Sequence, residues 1–101
     1  MDLVAICNAL SNKTRYRIIK SLKDKSISTC CNRIEHYENG FSVSDIVKLT
    51  GLAQSTVSQH LAVLEKAGLL YKEKRDFWSC YFLNTEVIKE YLKELNQDLC
   101  Q

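Results

Sequence analysis

Apolar residues return every three or four positions along most of the chain, the spacing that lays one stripe along one face of an α-helix. Leu3, Ile6, Cys7 and Leu10 make the first such stripe, with Asp2 in place to cap it. Asn12 caps a second helix whose apolar face is Tyr16, Ile18, Ile19 and Leu22. Lys13, Arg15, Arg17 and Lys20 leave the other face of that helix basic. From Ser26 to Gly40 the period is lost, and this stretch reads as an irregular connection with room for a short strand or an extra turn. Ser42-Val43-Ser44-Asp45 is a capping box with an acid at its fourth position. It opens a third helix to about Lys48, which buries Val43, Ile46, Val47 and Leu49. Thr50-Gly51-Leu52 then makes a tight turn into a fourth helix, from about Gln54 to Ala67, that stops at Gly68. Val57, Leu61 and Leu64 face inward on it, while Gln54, Ser55, Ser58 and Gln59 occupy its other faces.

From Leu69 the pattern becomes that of strands. Leu69 to Arg75 reads as a strand running out to a charged tip at Asp76, and the aromatic-rich Phe77 to Leu83 as its return. Asn84 or Thr85 caps a last helix with Val87, Ile88, Tyr91, Leu92, Leu95 and Leu99 on one face. The predicted order is therefore four helices, a β-hairpin and a fifth helix. That is a mainly α arrangement with a small sheet (α+β), in one domain over residues 1–101.

A chain of 101 residues with 46% hydrophobic and 26% charged positions has the balance of a soluble globular domain. At this size only about two-thirds of the unfolded surface is buried, which leaves little room for an internal catalytic cleft and makes a homodimer interface a natural supplement. No stretch reaches the roughly 20 apolar residues that span a bilayer. The opening MDLVAICNAL has no cationic flank before its apolar run, so a cytoplasmic location is expected. With 14 basic and 12 acidic residues the net charge is only +2, so any nucleic-acid binding must come from local placement of charge. Five cysteines are too few for a disulfide scaffold, and in a reducing cytosol they are thiols by default.

Two short helices joined by a glycine turn, the second polar on one side, followed by a hairpin with basic residues, form a winged helix-turn-helix. A helix fits the major groove, where each base pair shows its own donor and acceptor pattern. Gln, Ser and Thr both donate and accept, so Gln54, Ser55, Thr56, Ser58 and Gln59 suit base-edge and phosphate contacts. His60 follows them and has three candidate partners, a base, a phosphate or the neighbouring helix, with packing the default. Lys72, Lys74 and Arg75 are placed to meet flanking phosphates or the minor groove of double-stranded DNA.

Gln54-Ser55-Thr56-Val57-Ser58-Gln59-His60-Leu61 and Leu64-Glu65-Lys66-Ala67-Gly68-Leu69-Leu70 resemble the recognition helix of the ArsR/SmtB family of repressors. Ala9-Leu10-Ser11-Asn12-Lys13-Thr14-Arg15, with Ile18-Ile19, resembles the start of that family's second helix. The resemblance spans nearly the whole chain except Ser26 to Gly40. It implies a homodimer that binds an inverted-repeat operator and releases it on sensing a metal, a metalloid or a thiol oxidant. Departures are equally plain. Ser42, Val43, Ser44 and Asp45 stand where arsenic and cadmium sensors carry Cys-x-Cys, and the last helix has Glu86, Glu90 and Glu94 but none of the histidines of zinc sensors. Asp76 stands at the wing tip in place of glycine, and Ala53 in place of the polar cap before the recognition helix.

The cysteines divide by context. Cys7 and Cys80 lie where a small apolar residue would serve, and packing is the default for both. Cys30 and Cys31 sit in the segment without periodicity, near Glu35, His36 and Glu38, where soft thiolates suit a metal, a metalloid or redox chemistry. Adjacent cysteines chelate poorly by themselves, so a third ligand or a partner chain is needed, with Cys100, exposed at the end of the last helix, or Cys7 of either chain as a further sulfur. No cofactor is otherwise indicated. Phe77 and Trp78 are read as a partly exposed residue and one packed on the body, with a stacking platform as the sharper alternative. The dimer surface is expected from Leu3, Ile6 and Leu10 with Ile88, Tyr91, Leu92, Leu95 and Leu99. An enzyme is not expected, because Cys-x-x-Cys, Ser/His/Asp and glycine-rich phosphate motifs are all lacking. The remaining alternative is a winged-helix regulator of plasmid, phage or viral type with no inducer site.

Overall fold

Short polar side chains start most of the helices, as their chemistry requires. Asp2 Oδ1 accepts from the Ala5 amide at 3.1 Å and opens α1 (Leu3–Leu10). Asn12 Oδ1 accepts from Thr14 and Arg15 at 2.9 and 3.1 Å and opens α2 (Lys13–Lys23). Ser42 and Asp45 close a reciprocal capping box on α3 (Val43–Thr50): the Ser42 amide donates to Asp45 Oδ2 at 2.7 Å, and the Asp45 amide to Ser42 Oγ at 3.3 Å. Asn84 caps α5 (Thr85–Leu99) through the Val87 amide. The exception is α4 (Gln54–Lys66), whose N-cap Ala53 offers no side-chain acceptor. The computed structural model describes residues 1–24, 40–75 and 78–100, without the side chains of Arg75 and Trp78.

The element order matches the winged helix-turn-helix pattern, with β1 (Leu70–Arg75) and β2 (Trp78–Leu83) antiparallel between α4 and α5. α3 continues to Thr50, two residues past the expected end, and Gly51 closes it at φ 72°, a left-handed geometry that glycine adopts without strain. Thr50 Oγ1 donates to the Ile46 carbonyl and accepts from the Leu52 amide, which stiffens the turn between the two helices. α4 ends in a Schellman motif: Leu69 N–H bonds the Leu64 carbonyl, Gly68 N–H bonds the Glu65 carbonyl, and Gly68 has φ 87°. The sheet gains an extra rung, because Phe41 exchanges both backbone bonds with Tyr81 and their rings stack at 5.7 Å.

Ile6 and Ala9, Ile18, Phe41, Ile46, the α4 stripe Val57, Leu61 and Leu64, and Leu69, Leu70 and Tyr81 form one core. Three sequence expectations are corrected here. Tyr16 is 58% exposed, because it lies two residues before Ile18 and so on another face of α2. Cys7 is exposed and Ala9 is buried instead, since Ile6 and Ala9, three apart, carry the inward face of α1. Ile6 itself is fully buried in its own core and so is not on the outer surface of α1. α5 has no fully buried residue: Val87, Ile88 and Tyr91 lean on the core, while Leu92 and Leu99 stay exposed.

Supplying the missing cap should strengthen the start of α4. Ala53→Ser is expected to raise unfolding free energy by about 0.5–1 kcal/mol in urea denaturation, with the slope unchanged.

Candidate nucleic-acid interface

One face of α4 is consumed by Val57, Leu61 and Leu64, and helical spacing turns Ser55, Ser58 and Gln59 away from it. Gln54, Ser55, Ser58 and Gln59 are all exposed, and Thr56 is half-buried. The sequence-predicted reading residues therefore share an open surface, apart from Thr56, which lies on the flank. This surface carries hydrogen-bonding groups without a fixed charge, the chemistry suited to base edges.

The register of the hairpin sorts its basic residues. Lys72 pairs with Tyr81 and Lys74 with Ser79, so the two lysines share a face, while Glu73 opposite Cys80 lies on the other. Both lysines are exposed, and Lys72 Nζ lies 5.7 Å from the centre of the Tyr81 ring. Arg75 pairs with Trp78 through the backbone, and the expectations for the side chains of Arg75 and Trp78, and for Asp76 and Phe77, fall outside the described residues. On the opposite face Tyr71 stacks on Phe82 with ring centres 5.3 Å apart. That cross-strand pair stiffens the wing at its base.

His60 departs from the reading face. Its Nδ1 lies 3.4 Å from Arg15 Nη1 of α2, which places the ring on the flank of α4 that faces α1 and α2. Burial first, and the Arg15 charge second, hold its pKa below the ordinary value of 6.5. Arg15 also donates from Nε to the Ala9 carbonyl at 2.7 Å and from Nη2 to the Asn8 carbonyl at 3.3 Å, and Arg17 Nη2 donates to the Leu49 carbonyl at 3.4 Å. Two residues of the basic face of α2 thus satisfy open carbonyls at the ends of α1 and α3. The signal was present: arginine stands just past the end of α1, where helix carbonyls lack partners.

Along α1 and α5 the outward residues are Val4 (74% exposed), Leu92 (56%) and Leu99 (74%). Leu3, Leu10, Ile88, Tyr91 and Leu95 are half-buried. Val4 was not anticipated, because it lies off the helix's core stripe. Cys7 Sγ and Tyr91 Oη lie 3.3 Å apart and join the two helices, and this bond, then burial, pushes the Tyr91 phenol up. Cys100 is an exposed free thiol, as expected. Cys80 is fully buried, as expected, but disulfide-bonded instead of a free packing thiol. Cys7, like Cys100, is a free thiol. Cys30 and Cys31, with Glu35, His36 and Glu38, lie outside the described residues. Among the described residues no group of three His, Cys, Asp or Glu side chains is placed to hold a metal, and no helix is long and apolar enough to cross a membrane.

Residues 38–72, which cover α3, α4 and the start of the wing, match the profile described as "Bacterial regulatory protein, arsR family". The chain is 33% identical over 92 residues to a Halobacterium salinarum protein named "Putative arsenical resistance operon repressor ArsR2", covering 89% of this chain and 67% of that one. The chain belongs to the ArsR family. Its fold is also that of HlyU from Vibrio cholerae, at TM-score 0.65 and 28% identity over 97% of this chain and 91% of that one. An ArsR-like regulator from Rhodococcus superposes at TM-score 0.71 and 20% identity, covering 94% of this chain and 76% of the other. As an ArsR-family member the protein is a DNA-binding transcriptional regulator.

Proposed function

We propose that this ArsR-family protein is a homodimeric repressor that reads an inverted repeat with α4 and grips flanking phosphates with Lys72, Lys74 and Arg75. The observation that carries the reading is the exposed face Gln54, Ser55, Ser58 and Gln59, held opposite a fully buried stripe and beside a lysine-bearing wing. The two faces leave α4 no freedom to roll, so the same side chains meet the groove each time. Selection from random duplexes should enrich an inverted repeat with half-sites about one helical turn apart. Gln54→Ala or Ser58→Ala should relax the preference by about 1–3 kcal/mol at one base pair. Lys74→Ala should weaken all sequences alike and lower the salt slope by about 1. No enriched repeat, with both variant classes behaving as wild type, rules the reading out.

The dimer surface in this reading is the outward side of α1 and α5, including Val4, Leu92 and Leu99. Leaving these side chains in water is a liability on a monomer, and a two-fold partner removes it. Leu92→Asp should therefore dissociate the protein in sedimentation at micromolar concentration and abolish operator binding. A wild type that sediments as a monomer contradicts the surface outright.

The inducer in this reading is thiol-reactive: an oxidant, a soft metal or a metalloid acting through Cys30 and Cys31, with Cys100 as a further sulfur. A coupling of about 1.4–3 kcal/mol shifts operator affinity about ten- to a hundredfold. Operator affinity of the wild type and of Cys30→Ser/Cys31→Ser is measured with reductant, with a mild oxidant, and with arsenite or zinc. Wild-type changes below about threefold in every condition favour the regulator without an inducer site.

A further inference from the structure

We propose that Arg15 and His60 form a joint that sets the pitch of the recognition helix against α1, with His60 serving there as a neutral hydrogen-bond acceptor and not as a DNA contact. The inference rests on the DNA-reading role of α4. Arg15 stands in the first turn of α2 and touches three groups on two other helices: the Ala9 and Asn8 carbonyls at the end of α1, and His60 Nδ1 on α4. A guanidinium has donors only and keeps its charge in proteins. The ring nitrogen that faces it must therefore offer a lone pair, which fixes the proton on Nε2. The planar fork of arginine spans all three groups at once, and the single ammonium of lysine does not.

The position of His60 on α4 agrees. Val63 and Ala67, three and seven residues on, line with Asp2, Ala5 and Asn8 the cleft between α4 and α1. His60 thus belongs to the side of the recognition helix that looks at α1, away from Ser55 and Gln59. Among the described residues packed on α4 from α1, α2, α3 and β1, Arg15 is the charged side chain that acts on the ring. Because α1 carries part of the proposed dimer surface, the joint lies on a short path between the two-fold axis and the reading helix.

Protonation places an N–H, and a positive charge, against the guanidinium. The fold favours the neutral ring, so the joint is whole above the ordinary histidine value of 6.5 and is lost as pH falls through the lowered His60 value. A histidine that met a phosphate would behave in the opposite way, binding DNA more tightly on acidification. The two signs separate the roles.

The experiment uses a fluorescent duplex carrying the repeat recovered by selection, titrated from about pH 8 to about pH 5.5 at constant ionic strength. Wild type, His60→Gln and Arg15→Lys are compared. His60→Gln keeps a neutral side-chain acceptor and cannot take up the proton. Wild-type affinity is expected to fall at least about threefold more on acidification than that of His60→Gln. Arg15→Lys is expected to bind more weakly at the upper pH while its circular dichroism stays native. Imidazole nitrogen shifts of the wild type, which need no variant, should report the Nε2–H tautomer. Superimposed pH profiles overturn the joint, as do affinity that rises on acidification only with His60 present, native binding by Arg15→Lys, or the Nδ1–H tautomer. Wild-type binding at the upper pH checks the DNA reading separately, so a flat difference counts against the joint alone.

Discussion

The structure depends on one helix having two jobs on opposite sides. Val57, Leu61 and Leu64 of α4 are fully buried, and each such side chain contributes about 1.5–3 kcal/mol when removed from water. α3, β1, α1 and α2 all pack against α4, so four of the six other named elements are referenced to it. Among the described helices α4 places three side chains in the core, more than α1, α2, α3 or α5. The polar side of α4 is therefore held by the same contacts that hold the protein folded. Rigidity of this polar surface comes from hydrophobic packing behind it.

Charge is used sparingly and locally. The net value of +2 gives no general attraction to DNA. Lys72 and Lys74 are instead aligned on one face of the hairpin, while Arg15 and Arg17 are diverted to helix carbonyls. The exposed Lys89–Glu86 pair at 3.9 Å adds little by comparison, since solvent screens it. Arginine holds the helices together here, and lysine is left to meet the solvent.

Much of this was legible in the sequence because its signals are local. The caps at Asp2, Asn12 and Ser42, the break at Gly68 and the stripe on α4 each depend on residues within one helical turn. What was not legible depends on residues far apart in the chain. Ile6 and Leu92 both lie on apolar stripes, yet one is in the core and the other in the open, a difference set by which neighbour covers each. Cys7 was expected inside and lies outside for the same reason: a small side chain leaves no periodic mark strong enough to tell the two apart. For His60 packing was the default, but which partner it meets was settled only by Arg15, 45 positions away.

The exit from α4 has a mechanical result. Leu69 is bonded back to Leu64 and forward, through its carbonyl, to the Asn84 amide, so both ends of the hairpin are clamped to the last turn of the helix. There is no loose residue at that corner to absorb a rotation. A six-residue strand is about 20 Å long, so a tilt of α4 by about 5° sweeps the far end of the wing by about 2 Å. The corner acts as a lever: a change too small to disturb the core is enough to displace Lys72 and Lys74 on the hairpin. Gearing of this kind lets a protein this small give a large response to a small input.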